Sequence, residues 1–301
     1  MISKKFDASK NLNEEDLKFF VKNGFVIYKN VFEPKEFNNI KKNILESYSN
    51  LKKNYKKKKI SLNSWKWSKA IALNHEQNIH SNKFYKSPKL INILRKYLGT
   101  DLCILNNTCI YIIDPKIKKY DTSLKPHTDV WTGNSVDSIH LNTFITNANK
   151  ENSLAIFPGS HLLGLLPVKN RKIDEERINL KIKPILLDNI KSSEILIFHP
   201  LLIHSTITNP KNKKLRIAIG DRVKCFDKKF TSQEASLGYR VINIGPINHI
   251  KRVIGNDYLE PFRVYGGKYS ISEALQEEYD LLKLKKKDNF LTKYINASRK
   301  K

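Results

Sequence analysis

Apolar residues recur through the first hundred positions at intervals of three and four, the spacing that gives a helix one buried stripe. Leu17, Phe19 and Phe20 follow Asn13-Glu-Glu-Asp16. Asn13 can cap the free amides, the acids suit the positive end of the helix, and Gly24 offers a left-handed stop. Phe25-Val-Ile-Tyr28 reads as a short strand, and Pro34 opens a second helix with Phe37, Ile40, Ile44, Leu45 and Tyr48 on one face. The lysine run from Lys52 to Lys59 is expected to end it as a frayed, solvated turn. Trp65 and Trp67 read as an ordinary amphipathic segment rather than a lid. Ser87-Pro88 starts another helix carrying Leu90, Ile91, Ile93, Leu94 and Leu98, closed by Gly99. Residues 1–100 are thus expected to be largely helical.

Beyond position 100 the period shortens towards two and β-branched residues accumulate. Leu102 to Ile113 reads as one strand. Shorter candidates follow at Ile139–Ile145, Leu154–Phe157, Lys181–Leu186, Glu194–Phe198, Ser205–Thr208 and Leu215–Val223, separated by Pro, Gly, Asn and Lys. Many short strands with connections of uneven length predict an antiparallel barrel or jelly roll over 101–225. In the C-terminal extension, 226–301, Ser270-Ile-Ser-Glu273 forms a capping box ahead of a helix to about Lys287. No internal repeat is visible, and the 301 residues are expected to form a single domain.

Composition narrows the class. At 40% hydrophobic and 28% charged, the chain reads as globular. The longest apolar stretch, Ile195 to Ile203, is broken by His199 and Pro200 and is too short to span a bilayer. The start, Met1-Ile-Ser-Lys-Lys-Phe-Asp7, lacks a signal-peptide core, so a cytoplasmic location is expected. Cys103, Cys109 and Cys225 cannot pair evenly and form no Cys-x-x-Cys, which excludes a disulfide framework or a cysteine zinc site. The net charge of +26 could attract nucleic acid, anionic lipid or acidic metabolites. However, 46 of the 55 basic residues are Lys, and Lys, Asn and Ile together make up 112 of 301. That is the signature of A/T-biased drift, and the scarcity of Arg argues against base-edge readout.

The informative chemistry begins at Lys125-Pro-His127-Thr-Asp129-Val-Trp131. On an extended chain residues i and i+2 share a side, so His127 and Asp129 can offer a nitrogen and an oxygen to one metal ion. With 8 His and 14 Asp in the chain, one such pair is weak by itself. A strand running into His204 supplies a third ligand, completing a two-histidine, one-carboxylate face that leaves three adjacent positions open on iron. Arg216, twelve residues on along a returning strand, can grip a distal carboxylate with two parallel hydrogen bonds. His161 reads as a turn residue and His199 as structural. Tyr111 can face the cavity if its strand borders it, and Trp131 can pack over a substrate or in the core. Arg222, at an even spacing from Arg216, can read an anionic substrate or pair with an acid.

These segments resemble the phytanoyl-CoA dioxygenase family of non-haem iron, 2-oxoglutarate-dependent oxygenases. The resemblance rests on Asn23-Gly-Phe-Val-Ile-Tyr-Lys-Asn-Val31, the His127/Asp129 pair, Ser153-Leu-Ala-Ile-Phe-Pro-Gly-Ser-His161, and His204 with Arg216. It implies a mainly β fold with flanking helices around a double-stranded β-helix (cupin-like jelly roll) core. It implies Fe(II) held by His127, Asp129 and His204, 2-oxoglutarate held by Arg216 with Thr206 as a hydroxyl helper, and dioxygen as co-substrate. Asp129 is retained where halogenating relatives lack the carboxylate, which disfavours halogenation. The activity so implied is hydroxylation of a C–H bond of a small or medium-sized metabolite, with release of succinate and carbon dioxide. Trp131, Tyr111 and Arg222 are the candidate substrate residues. Competing expectations are oxidation of an anionic sugar, lipid-linked sugar or phosphonate, and, less favoured, nucleic-acid demethylation or a non-catalytic jelly-roll binding role. Hydroxylation against desaturation or cyclisation, and the oligomeric state, stay open.

Overall fold

One central sheet separates two hydrophobic cores, and the alternation of its strands decides which side chain enters which core. The computed structural model describes residues 4–10, 14–58, 64–76, 83–106, 108–115, 125–169, 172–174, 181–207, 209 and 211–253. Two compact units divide the chain, 1–245 and 246–301. The first unit opens with β1 (Lys5–Asp7), α1 (Glu15–Asn23), β2 (Phe25–Lys29), α2 (Pro34–Lys58), α3 (Ser64–Glu76) and α4 (Pro88–Leu98). The β-rich part follows: β3 (Leu102–Leu105), β4 (Cys109–Ile113), β5 (Ser138–Phe144), β6 (Leu154–Ile156), β7 (Val168–Lys169), β8 (Lys172–Ile173), β9 (Ile185–Leu186), β10 (Ile195–Phe198), β11 (His204–Thr206) and β12 (Arg216–Cys225). Helix α5 (Ser232–Leu237) and strand β13 (Tyr239–Asn243) close this unit. The second unit contributes α6 (Pro246–Val253) to the described residues.

The large sheet runs β1-β2-β10-β5-β12-β3-β13, with β4 also paired to β12. Its β1–β2 pair is parallel and its other pairs are antiparallel, so the sheet is mixed, and it does not close. A second sheet, β11-β6-β9, faces it. Ile195 and Ile197 of β10, Ile139 and Leu141 of β5, and Ile217, Ile219 and Val223 of β12 point to the helices and pack with Ile40, Ile44, Ile71, Leu90 and Leu94. The alternate residues Leu196, Phe198, Phe144 and Ala218 point the other way and meet Leu154 and Ile156 of the small sheet. This two-sheet arrangement with helices on one outer face is the jelly-roll core that the strand pattern predicts. Among the described residues no helix is long and apolar enough to cross a membrane.

Local chemistry explains the agreements and the differences. Gly24 ends α1 at φ +79°, a conformation suited to glycine, and a Cβ there would lie 2.5 Å from Nδ1 of His161. Helix α2 runs into the lysine-rich stretch and is described as far as Lys58, inside the Lys52–Lys59 run, since lysine is a good helix former. The expected single strand over 102–113 is two strands: both run antiparallel to β12, but between the Ile104–Val223 and Cys109–Gly220 pairs the chain advances five positions against three on β12, which breaks the ladder. Only Ile185–Leu186 of the Lys181–Leu186 candidate is strand. Asn13 and the helix expected from Ser270 lie outside the described residues.

Candidate metal centre

The site forms where the segment before β5 crosses the start of β11. His127 and His204 make an isolated antiparallel bridge, each backbone N–H donating to the other's carbonyl at 3.0 Å. Two residues further on, the Asp129 N–H donates to the Pro200 carbonyl at 2.9 Å. Residues 77 positions apart in sequence are thereby fixed side by side, with ring centroids 4.3 Å apart. Asp129 begins a single 3-10 turn, Asp129–Thr132, closed by Gly133 at φ 84°. Thr132 Oγ1 and Asn134 Nδ2 both donate to the Asp129 carbonyl. The next residues are tied to α5: Thr231 Oγ1 donates to the Gly133 carbonyl, and the Ser135 N–H to Glu234 Oε1. Glu234 also caps α5 and accepts from buried Lys224 at 2.9 Å.

One ligating atom from each of His127, Asp129 and His204 lies within 4.8 Å of the other two, and all three residues are buried. His127 Nε2 is 3.8 Å from Asp129 Oδ1, and His204 Nε2 is 3.6 Å from Asp129 Oδ2. The tautomers follow from the remaining nitrogens. His127 Nδ1 donates to the Lys125 carbonyl at 2.8 Å, and His204 Nδ1 to the Leu202 carbonyl at 3.0 Å. Each Nε2 therefore carries the lone pair that a metal needs. Burial, reinforced by His204, pushes the His127 pKa down to about 4, and burial lowers that of His204 as well, so both rings are neutral at pH 7. Burial alone would raise the Asp129 carboxyl, but His140 and His204 outweigh it and hold the group well below the usual carboxylate range. Two neutral imidazoles and one carboxylate on a common face fit a divalent iron ion.

Arg216 begins β12 on the interior face, 1% exposed. Its Nη1 reaches the Asn152 carbonyl at 3.4 Å and its guanidinium lies 5.8 Å from the Phe144 ring centre. Its Nε has no hydrogen-bond partner, and no carboxylate among the described residues lies within salt-bridge distance. Burial pushes its pKa down to about 10, which still leaves it charged at neutral pH. A buried guanidinium of this kind fits a carboxylate brought by a ligand. Thr206 follows His204 by two residues on β11 and is half-buried.

The substrate candidates lie around the same centre. Trp131 sits on the 3-10 turn with its ring 5.9 Å from that of His127, and packs against Phe157, Ile173 and Ile203. Tyr111 pairs with Ala218 across β4–β12, and its ring covers Gly220, where a Cβ would lie 2.3 Å from Tyr111 Cε2. Arg222 is buried and pairs in register with His140; Asp129 is among the groups whose charge acts on it. His161 Nε2 donates to the Val21 carbonyl and His199 Nδ1 accepts from the Leu201 N–H, both away from the triad. His140, which belongs to none of the sequence motifs, places its Nδ1 2.6 Å from Asp129 Oδ2. A signal was present. Ser138, His140 and Asn142 alternate with Ile139 and Leu141, and a strand with apolar residues on one side and polar ones of this type on the other can line an interior site.

Known proteins resemble this chain in family and in fold. The family model described as phytanoyl-CoA dioxygenase (PhyH) matches residues 20–218. The non-heme monooxygenase ThoJ, in its apo form, shares 18% identity at a TM-score of 0.55, over 76% of this chain and 83% of that one. The non-heme alpha ketoglutarate dependent carbocyclase SnoK shares 12% at 0.54, over 80% and 100%. The epimerase SnoN, in complex with Fe3+, alpha ketoglutarate and nogalamycin RO, shares 12% at 0.52, over 70% and 82%. No curated protein matches the chain by sequence.

Proposed function

The chain belongs to the phytanoyl-CoA dioxygenase family of iron- and 2-oxoglutarate-dependent oxygenases, and from that premise we propose that it hydroxylates an unactivated C–H bond of a small or medium-sized metabolite, with His127, Asp129 and His204 as its iron ligands. The observation that carries this reading is the triad itself: three buried ligand atoms within 4.8 Å, with both imidazole Nδ1 atoms committed to backbone carbonyls. Iron held there would activate dioxygen, which supplies the oxidising power: one oxygen atom would end in succinate as 2-oxoglutarate is oxidatively decarboxylated with release of carbon dioxide, and the other in the hydroxylated product. The chain's own residues bind and orient. Arg216 holds the far carboxylate of 2-oxoglutarate in a pocket where water does not compete, and Thr206 adds a hydroxyl beside His204. The bridge between His127 and His204 fixes the two imidazoles before any ligand arrives, so little reorganisation is needed on binding. Trp131 and Tyr111 form walls that exclude water from the substrate.

A second reading, an anionic substrate such as an anionic sugar, a lipid-linked sugar or a phosphonate, is favoured by Arg222. Its side chain is buried on the same strand face as Arg216 and within the electrostatic reach of Asp129. The test is anaerobic titration with Fe(II) and 2-oxoglutarate, followed through the metal-to-ligand absorption band, with candidate metabolites screened for their effect on that band. Replacing His127, Asp129 or His204 with Ala should abolish the band and succinate formation; variants that keep both would overturn the ligand assignment. Under isotopically labelled dioxygen, hydroxylation places one labelled oxygen in the product. An epimerised or cyclised product without the label would replace hydroxylation with one of those outcomes.

A further inference from the structure

We propose that His140 is a positioning residue that locks the rotation of the Asp129 carboxylate at the metal centre. This rests on the reading of Asp129 as an iron ligand. The carboxylate needs such a lock. The terminal torsion of an aspartate is broad, and Asp129 stands on a single 3-10 turn. In the observed orientation Oδ1 faces His127 and Oδ2 faces His204, and a rotation about that torsion would lose both. His140 is mounted differently. It lies in the middle of β5, hydrogen-bonded to β10 on one side and β12 on the other, opposite Phe198 and Arg222. Its ring is 4% exposed and packs 5.1 Å from the Phe198 ring centre. From this rigid strand Nδ1 reaches Asp129 Oδ2 at 2.6 Å.

The direction of the bond is fixed by chemistry. An ionised carboxylate only accepts, so Nδ1 carries the proton and donates. Nε2 is then left as an acceptor, and it is buried without a hydrogen-bond partner among the described residues. Buried polar atoms normally find partners, and a histidine present only for packing would not need its Nδ1 on a carboxylate at the cost of an orphaned Nε2. Placement of Nδ1 accounts for the arrangement. Partners that orient ligands in this way typically change metal affinity or activity by about 10–100-fold when removed.

The test uses the metal-free full chain and Fe(II) alone, titrated anaerobically against a competing chelator, together with thermal unfolding of the same proteins. His140→Leu fills a similar space but has no donor. His140→Asn leaves a gap but can place an amide N–H near the Nδ1 position. Donation to Asp129 requires the Leu variant to bind Fe(II) about 10–100-fold more weakly and the Asn variant to stay near wild type. Unfolding temperatures should rank the other way, Leu above Asn, because leucine fills the space beside Phe198. Equal iron affinities in the two variants, or affinities that follow the unfolding temperatures, would overturn the proposal. His140→Met replaces the leucine variant if that one does not fold. A wild-type chain that binds no Fe(II), or an Asp129→Ala chain that binds it as well as wild type, would instead remove the ligand reading, and this proposal with it.

Discussion

Replacing His75 with Gln should remove a defined pH dependence from the stability of the first unit. His75 is fully buried on α3, with Nε2 3.0 Å from the Tyr85 hydroxyl, and that hydroxyl donates to Asp221 Oδ2 at 2.9 Å. Burial, with Arg240 nearby, pushes the imidazole pKa down to about 3. In the unfolded chain it titrates near its reference value of about 6.5. As the pH falls below that value the unfolded chain takes up a proton that the folded chain refuses. The stabilisation is therefore complete above about pH 6.5 and is lost progressively towards the folded pKa. At pH 5 the unfolded imidazole is almost fully protonated and the folded one almost not at all, so wild type loses about 2 kcal/mol relative to pH 7 through this group. A folded value anywhere below about 4 gives nearly the same result at pH 5. Asp221 acts in the opposite direction: burial pushes its pKa up to about 6, so its contribution falls as pH rises through that range. It is present in both proteins, so the difference between wild type and His75→Gln isolates the histidine. Glutamine keeps a donor near the Nε2 position and does not titrate. Urea unfolding of both metal-free proteins at pH 7 and pH 5 measures the change. A wild-type-minus-variant difference that is the same at both pH values would refute the argument.

Arg216→Lys should raise the 2-oxoglutarate requirement more than it weakens Fe(II) binding, because a point charge replaces a planar fork; co-substrate KM against iron affinity checks this. Gly220→Ala would place a Cβ 2.3 Å from Tyr111 Cε2 and 3.0 Å from Asn142 Oδ1. It should cost about 1–3 kcal/mol in urea unfolding and displace the Tyr111 ring. Lys224→Met leaves Glu234 buried without its cation, since the pair is 0% and 1% exposed. The expected loss is about 3–5 kcal/mol, measured as a fall in the denaturation midpoint at unchanged m-value.

The sequence carried the interior pattern well where one period ruled. The strand at Phe25, the helices at 15–23 and 88–98, and the strands around 139–144, 195–198 and 216–223 are where periodicity and punctuation place them. It was less informative where pairing partners decide the outcome. Nothing local distinguishes 102–113 as two strands, because the break is a two-residue shift of register against β12. Thr231-Ser-Gln-Glu234 is a capping box in plain view, yet its weight comes from Lys224 and Ser135, which sequence separation conceals. The proximity of His127, Asp129 and His204 followed from spacing and strand direction, and the structure brings them together. His140 is on no motif; the alternation along β5 marks it as interior-facing, and its approach to Asp129 is seen only in the structure.

The charge of +26 takes on a different meaning once surface and interior are separated. Compositional drift can exchange one solvated lysine for another with little consequence, since exposed charges are worth little individually. It cannot place cations in a core, where each needs a counter-charge. The interior face of β12 carries three buried cations, Arg216, Arg222 and Lys224, with only Ala218 and Gly220 between the first two. Lys224 has its counter-charge within the fold, in Glu234. Arg222 lies within reach of the Asp129 charge. Arg216 has only a carbonyl and an aromatic face among the described residues. Between these guanidinium groups the small residues Ala218 and Gly220 keep the face low, and the Tyr111 ring occupies the space over Gly220. Two of the chain's nine arginines are thus committed to one strand face beside the triad, where a planar fork cannot be replaced by lysine. Arg216 and Arg222 are therefore set apart from the surface lysines, and the surroundings of Arg216, a carbonyl and an aromatic face among the described residues, support the proposed binding of the 2-oxoglutarate carboxylate there.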